Sequence, residues 1–208
     1  EPRFWPASRI ELTFAHSDSL MPGGEGIREP FRERRDPAGA PTFHTDADSL
    51  TGAAGYQLAK DLRSSTTLSF GDVHARRFSF PGIGETKSHI RDFAVESVVD
   101  WEPDGPLKMV GGVSHRRSSL DQFIDLTRTG ARGIGEFDDK QLSYGVFGEA
   151  RVEPVARTTL TMGMRYQRDR QERAGAITTS TSETPLVFDR SFSAWLPKLS
   201  LAYDHTDN

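Results

Sequence analysis

Apolar residues fall at every second position in one segment of this chain after another. The clearest case lies between Leu142 and Asp207. There Leu160, Met162, Met164 and Tyr166 alternate with Thr159, Thr161, Gly163, Arg165 and Gln167. A period of two means a β-strand whose two faces meet different surroundings. A strand ending near Val152 and one starting near Thr158 are joined by a short turn, Glu153-Pro154-Val155-Ala156. The connection that follows, from about Glu172 to Arg190, is long and polar.

The same alternation recurs towards the N-terminus. Ser8 to His16 reads as a first strand, with Ile10, Leu12 and Phe14 on one face and Arg9, Glu11 and Thr13 on the other. A long excursion to about Ala47 follows, and Leu50 to Leu58 reads as the second strand, ending at a turn around Lys60-Asp61. The third, Ser64 to about Arg77, carries Leu68 and Phe70 in phase and turns polar in its distal half. The fourth, about Ile90 to Trp101, places Phe93, Val95, Val99 and Trp101 together and stops at Pro103-Asp104-Gly105, a strong turn signal. The fifth, Leu107 to about Phe123, holds Leu107, Met109, Gly111 and Val113 in phase before His115-Arg116-Arg117. A Gly-rich loop from Leu126 to Asp138 leads to a sixth strand over Lys140 to Val152 and a seventh over Thr158 to about Arg170. An eighth, Phe192 to Tyr203, aligns Trp195, Leu199, Leu201 and Tyr203.

These connections sort by length. Short turns fall near positions 60, 103, 154 and 206, and longer loops near 30, 83, 132 and 180. Regular sorting of this kind is not expected of a soluble sandwich. It is the pattern of an all-β, antiparallel transmembrane β-barrel of the outer-membrane type, with short periplasmic turns and long outer loops. Tyr56, Trp101 and Tyr203 sit beside short turns, where an interfacial aromatic girdle belongs. The out-of-phase set is polar or small: Thr13, Gln57, Glu96, Asp100, Lys108, Glu149, Arg151, Arg165 and Lys198. An Arg or Lys facing mid-bilayer lipid costs ~2–4 kcal/mol, so these positions are expected to face a wet lumen.

Composition narrows the class further. No apolar run approaches the ~18 residues of a membrane-spanning helix, and barrel strands hide their apolar residues one place in two. Cysteine is absent, which excludes disulfides and thiolate metal sites. A net charge of −4 gives a nucleic-acid partner no electrostatic support. The chain opens on Glu1 without Met or signal peptide and stops at Asn208 after a strand, which reads as a mature segment or a piece of something longer.

Three stretches carry a resemblance. Phe147-Gly-Glu-Ala before a polar turn, Leu160-Thr-Met-Gly-Met-Arg-Tyr-Gln-Arg-Asp before a long loop, and Trp195-Leu-Pro-Lys-Leu-Ser-Leu-Ala-Tyr resemble the barrel of TonB-dependent outer-membrane receptors. The match is fairly specific from Leu142 to Asp207 and loose before it. The resemblance implies a barrel of about 22 strands plugged by an N-terminal domain. It implies import of ferric siderophores, cobalamin or other scarce nutrients, energised through an inner-membrane complex. The chain departs from that pattern in lacking a plug, a TonB-contacting box and a closing aromatic strand end. Positions 1–208 therefore read as about eight strands of a larger barrel, whose edges lipid does not tolerate unpaired.

Candidate ligand residues lie in the long loops: Arg28, Arg32, Arg34 and Arg35, His44 beside Phe43, and Phe80. The arginines suit an anionic ligand such as a ferric siderophore or a lipopolysaccharide phosphate. Glu25, Glu29, Glu33 and Asp36 interleave with them, and mixed signs also mark plain solvated surface. The six histidines are scattered without the close pairing of a metal site, and Asp138-Asp139 alone supplies too few oxygens for Ca²⁺. No cofactor is expected. No local Ser-His-Asp arrangement is visible, so catalysis is disfavoured. The expected partners are outer-membrane lipid, a ferric siderophore or similar nutrient, and the TonB complex acting through a plug domain. The alternative is a complete eight-stranded outer-membrane barrel acting as an adhesin, anchor or enzyme. A soluble all-β binding protein is a third reading.

Overall fold

A computed structural model describes residues 8–22, 42–78, 84–127 and 133–204. Eight long strands form one antiparallel sheet in chain order: β1 (Ser8–Pro22), β2 (Thr42–Ala59), β3 (Leu62–Phe78), β4 (Thr86–Trp101), β5 (Leu107–Asp125), β6 (Gly133–Val155), β7 (Thr158–Thr179) and β9 (Phe188–Tyr203). A three-residue strand, β8 (Glu183–Pro185), pairs with the far end of β7, on the edge that β9 also occupies. Among the described residues β1 pairs with β2 and β9 with β7, so the sheet is open. The small closed barrel would need β1 to pair with β9.

The expected strands are all present, and at their long-loop ends they run further than the alternation predicts. The first runs to Pro22 rather than His16, and the second starts at Thr42 rather than Leu50. The sixth begins at Gly133, inside the expected Gly-rich loop, and the seventh continues to Thr179. The polar connection expected over Glu172 to Arg190 is thus mostly strand, with its tip between β7 and β9. Alternation in sequence marks only that part of a strand with lipid on one side. Beyond the lipid both faces are wet and the period of two disappears, although the backbone ladder continues. At the opposite end a bulge between Val152 and Val155 carries β6 through Pro154, which has no amide hydrogen to give the ladder. The turn is therefore Ala156-Arg157, with Arg157 at φ 66°, rather than Glu153 to Ala156.

Register assigns every side chain to a face. Cα partners share a face, so the row Ile10, Ala54, Thr66, Ser97, Val113, Val146, Tyr166 and Trp195 lies on one side. This belt face gathers the in-phase apolar residues of all eight long strands. The opposite, polar face carries Thr13, Gln57, Glu96, Asp100, Lys108, Glu149, Arg151, Arg165 and Lys198, as their phase predicts. Among the described residues no hydrophobic side chain is buried, and Leu199 is 75% exposed. A single layer has no second layer to cover it, so the stabilising burial must come from lipid.

The belt is bounded by aromatics on both sides, and both boundaries slope. Along the upper edge Phe93 on β4 lies one register rung above Tyr144 on β6, which lies one rung above the Tyr166–Trp195 pair on β7 and β9. Those last two rings are 4.9 Å apart. Along the lower edge Tyr56, Trp101 and Tyr203 step in the same direction. A boundary that crosses register rungs is what strands tilted by ~35–45° produce at a flat membrane surface. Phe93 and Trp101 bracket the belt on β4, as Trp195 and Tyr203 do on β9. Each pair encloses ~27 Å of strand, or ~21 Å of thickness at a ~40° tilt, close to the ~25 Å band of outer-membrane barrels.

The lower turns are tied together. Trp101 Nε1 donates to Asp61 Oδ2 at 2.9 Å, and Lys60 Nζ meets Asp104 Oδ2 at 2.5 Å across neighbouring turns. Gln57 Nε2 donates to the Ala59 carbonyl at 2.6 Å beside the bulge that separates Gln57 from Ala59.

Candidate functional site

Two surfaces above the belt carry chemistry, one on each face. On the polar face, β6 and β7 bring Phe137, Asp139 and Arg173 together. Arg173 grips Asp139 with two hydrogen bonds, Nε to Oδ1 at 2.6 Å and Nη2 to Oδ2 at 2.5 Å. Its guanidinium lies 5.7 Å from the Phe137 ring centre. The ring rests against glycine backbone: a Cβ added at Gly135 would stand 2.9 Å from it. A second cation–aromatic pair, Arg77 over Phe43 at 5.1 Å, sits on the same face at β2 and β3. Phe188 is the register partner of Arg173 on β9. Lower down, Lys198 Nζ meets Glu149 Oε2 at 2.6 Å, with Gly163 on the strand between them. Asp169 accepts from Ser143 Oγ at 2.5 Å and from Gln167 Nε2 at 3.0 Å. The upper polar face thus offers aromatic platforms and guanidinium groups, while the wall beneath carries the Lys198–Glu149 pair and the hydrogen bonds of Asp169.

On the belt face, the positions above the apolar rows become ionisable. A groove of about 850 Å³ crosses β2 to β7 there, and His44, Asp46, His74, Arg76, Lys87 and His89 line its first three strands. His44 Nε2 lies 2.8 Å from Asp18 Oδ1. His74 and His89 are register partners whose rings stack 3.9 Å apart with 16° between planes. Asp72 Oδ1 lies 2.8 Å from His89 Nε2 and 3.1 Å from His74 Nε2. His16 Nδ1 lies 2.9 Å from Asp48 Oδ1. At the rim Glu85 receives Arg76 and, at 3.0 Å, Lys87. Burial alone would raise the Glu85 carboxyl; the hydrogen bonds and charges of Lys87 and Arg76 outweigh it and hold the group below its ordinary range.

Of the ligand candidates read from the sequence, His44 is on the belt face, paired with Asp18. Arg28, Arg32, Arg34, Arg35 and Phe80 lie outside the described residues. The histidines are scattered along the chain, yet four strands bring His16, His44, His74 and His89 into adjoining register rows. A signal was present in His16-x-Asp18, His44-x-Asp46-x-Asp48 and Asp72-x-His74. A two-residue spacing puts both side chains on one strand face. The Phe137–Arg173 platform left no such local mark, because its members come from different strands.

Comparison with known proteins agrees with this architecture. The family model "TonB dependent receptor-like, beta-barrel" matches residues 9–208. The ferric yersiniabactin uptake receptor FyuA from Yersinia pestis aligns with a TM-score of 0.70 at 16% identity, over 81% of this chain and 27% of that one. The closed form of the ferric-catecholate import receptor Fiu from E. coli K12 aligns with a TM-score of 0.68 at 11% identity, over 96% of this chain and 39% of that one. The siderophore receptor PiuA from Acinetobacter baumannii aligns with a TM-score of 0.64 at 11% identity, over 82% of this chain and 32% of that one. The chain therefore spans well under half the length of these structures. No curated protein sequence matches it. At such identities the structures establish the fold alone. The family match extends over nearly all of the sloping, lipid-belted sheet, and the chain belongs to the TonB dependent receptor-like β-barrel family.

Proposed function

We propose that this chain is part of the wall of an outer-membrane receptor of a Gram-negative bacterium that imports a ferric siderophore with energy delivered through TonB. The family match over residues 9–208 carries the reading. The aligned structures are receptors for ferric yersiniabactin, ferric catecholate and a siderophore, and they favour the iron-chelate class. The chemistry of the polar face suits it. Arg77 and Arg173 beside Phe43 and Phe137 offer cationic and aromatic contacts to an anionic, ring-bearing chelate. The outer loops with Arg28, Arg32, Arg34, Arg35 and Phe80 add capture residues in the same reading. Outer-membrane lipid covers the belt face, and a plug domain occupies the polar side and passes on the TonB signal. Neither catalysis nor a nucleic-acid partner enters the reading.

The test uses the full-length receptor in its own cell. Under iron limitation, deleting its gene lowers uptake of at least one labelled ferric siderophore, and a plasmid copy restores it. Deleting TonB abolishes the restored uptake. Uptake of every ferric siderophore unchanged by the deletion refutes the substrate class. Restored uptake that persists without TonB refutes the energy coupling.

A further inference from the structure

We propose that Asp72, His74 and His89 form a binding site for a divalent transition cation of the zinc class, on the outer wall of the sheet above the lipid belt. The site lies on the face opposite the lumen and does not depend on the uptake reading.

Asp72 Oδ1 and the two Nε2 atoms converge, at 2.8 Å and 3.1 Å, because the stacked rings of His74 and His89 reach the same side. Zinc bonds of ~2.0–2.1 Å to nitrogen and oxygen imply tetrahedral edges of roughly 3.3 Å, so binding needs the donors to open slightly and the two rings to turn out of their stack until each Nε2 lone pair faces the ion. Three protein ligands leave the fourth position to water. Two imidazoles select a transition cation; Ca²⁺ and Mg²⁺ prefer oxygen donors.

Charge placement argues the same way. Asp48 stands directly opposite Asp72, and Asp18 directly opposite Asp46, all on this face. Like charges facing each other across a ladder are destabilising. Beside the triad, His16 Nδ1 lies 3.7 Å from Asp46 Oδ1. That oxygen is shielded from solvent and has no hydrogen-bond partner among the described residues. The Asp46 side chain is half exposed and His16 lies within ion-pair distance of it, so what a nearby dication offsets is the repulsion among the four carboxylates. His16, Asp46 and Asp48 form a second donor set one strand away from the first.

The experiment is a Co²⁺ titration of the full-length receptor, purified in detergent and stripped with chelator. The expected result is a saturable visible absorption of nitrogen-ligated Co²⁺ that Zn²⁺ abolishes. The His74→Ala, His89→Ala double variant should lose affinity at least tenfold, while His115→Ala should bind as the parent does. Asp72→Asn, which keeps side-chain size, tests the same point should the double variant fail to fold. Parent protein that binds no Co²⁺, or variants that bind it as well as the parent does, would overturn the proposal.

Discussion

Val98 and Val99 offer a test of the faces in which only parity differs. They are adjacent on β4, so their depths differ by one residue. Val99 is on the belt face, 41% exposed, between register partners Ser64 and Gly111. Val98 is on the polar face between Ser65 and Gly112. Small register partners flank both, but the Phe147 ring covers Gly112, so steric terms work against 98. Electrostatic surroundings do not. Arg at 99 would have Ser97 and Trp101 as its neighbours along the strand, neither of them acidic. Arg at 98 would lie between Glu96 and Asp100. Position 99 is one rung from the middle of the belt, where Arg costs ~2–4 kcal/mol, so Val99→Arg should cost ~2 kcal/mol. That is roughly 30-fold in the folding equilibrium. Val98→Arg should cost no more than ~0.5–1 kcal/mol, since lost valine packing is offset by two acids. The assay is urea unfolding of the full-length receptor in lipid vesicles, followed by tryptophan fluorescence, with heat-modifiable gel mobility as a check on folding. Equal costs, or a larger cost at 98, would refute the assignment of faces.

Three further outcomes follow from local geometry. Gly112→Ala should destabilise by ~1–3 kcal/mol in the same unfolding assay, because its Cβ would stand 2.6 Å from both the Phe147 ring and the Ser97 carbonyl oxygen. Adding Phe147→Ala should recover only part of that loss, since the carbonyl cannot move aside. The Glu85 carboxyl is held below its ordinary value, so its contribution is complete above about pH 4.3 and disappears as pH falls through its lower folded value. Protection of the β3 and β4 end amides, taken relative to their intrinsic exchange rates, should therefore fall only in that acid range, and Glu85→Gln should lower it at every pH and remove the acid step. The Lys198–Glu149 pair is 60% and 30% exposed on its two sides, so a double-mutant cycle with Lys198→Met and Glu149→Gln should return a coupling of only ~0.2–1 kcal/mol.

The belt was legible in the chain because lipid leaves no choice: a strand segment facing hydrocarbon must show an apolar residue at every second place. Ile10, Leu12 and Phe14, or Leu160, Met162 and Met164, declare strand, face and membrane together. The short turns were legible for a similar reason, since Lys60-Asp61 and Pro103-Asp104-Gly105 interrupt that rhythm abruptly. Above the lipid the constraint lifts. The ladder from Lys140 back to Gly133 and from Arg170 on to Thr179 is as regular as the rest, but water on both sides permits polar residues at either parity. Nothing in the spacing then tells strand from loop. The bulge at Val152 to Val155 was hidden likewise, because it changes backbone pairing without changing residue type. Tilt and register belong to the assembled sheet. They slope the two aromatic boundaries, set His74 against His89, and turn histidines far apart in the chain into neighbours, because pairing between strands depends on where distant backbone groups meet.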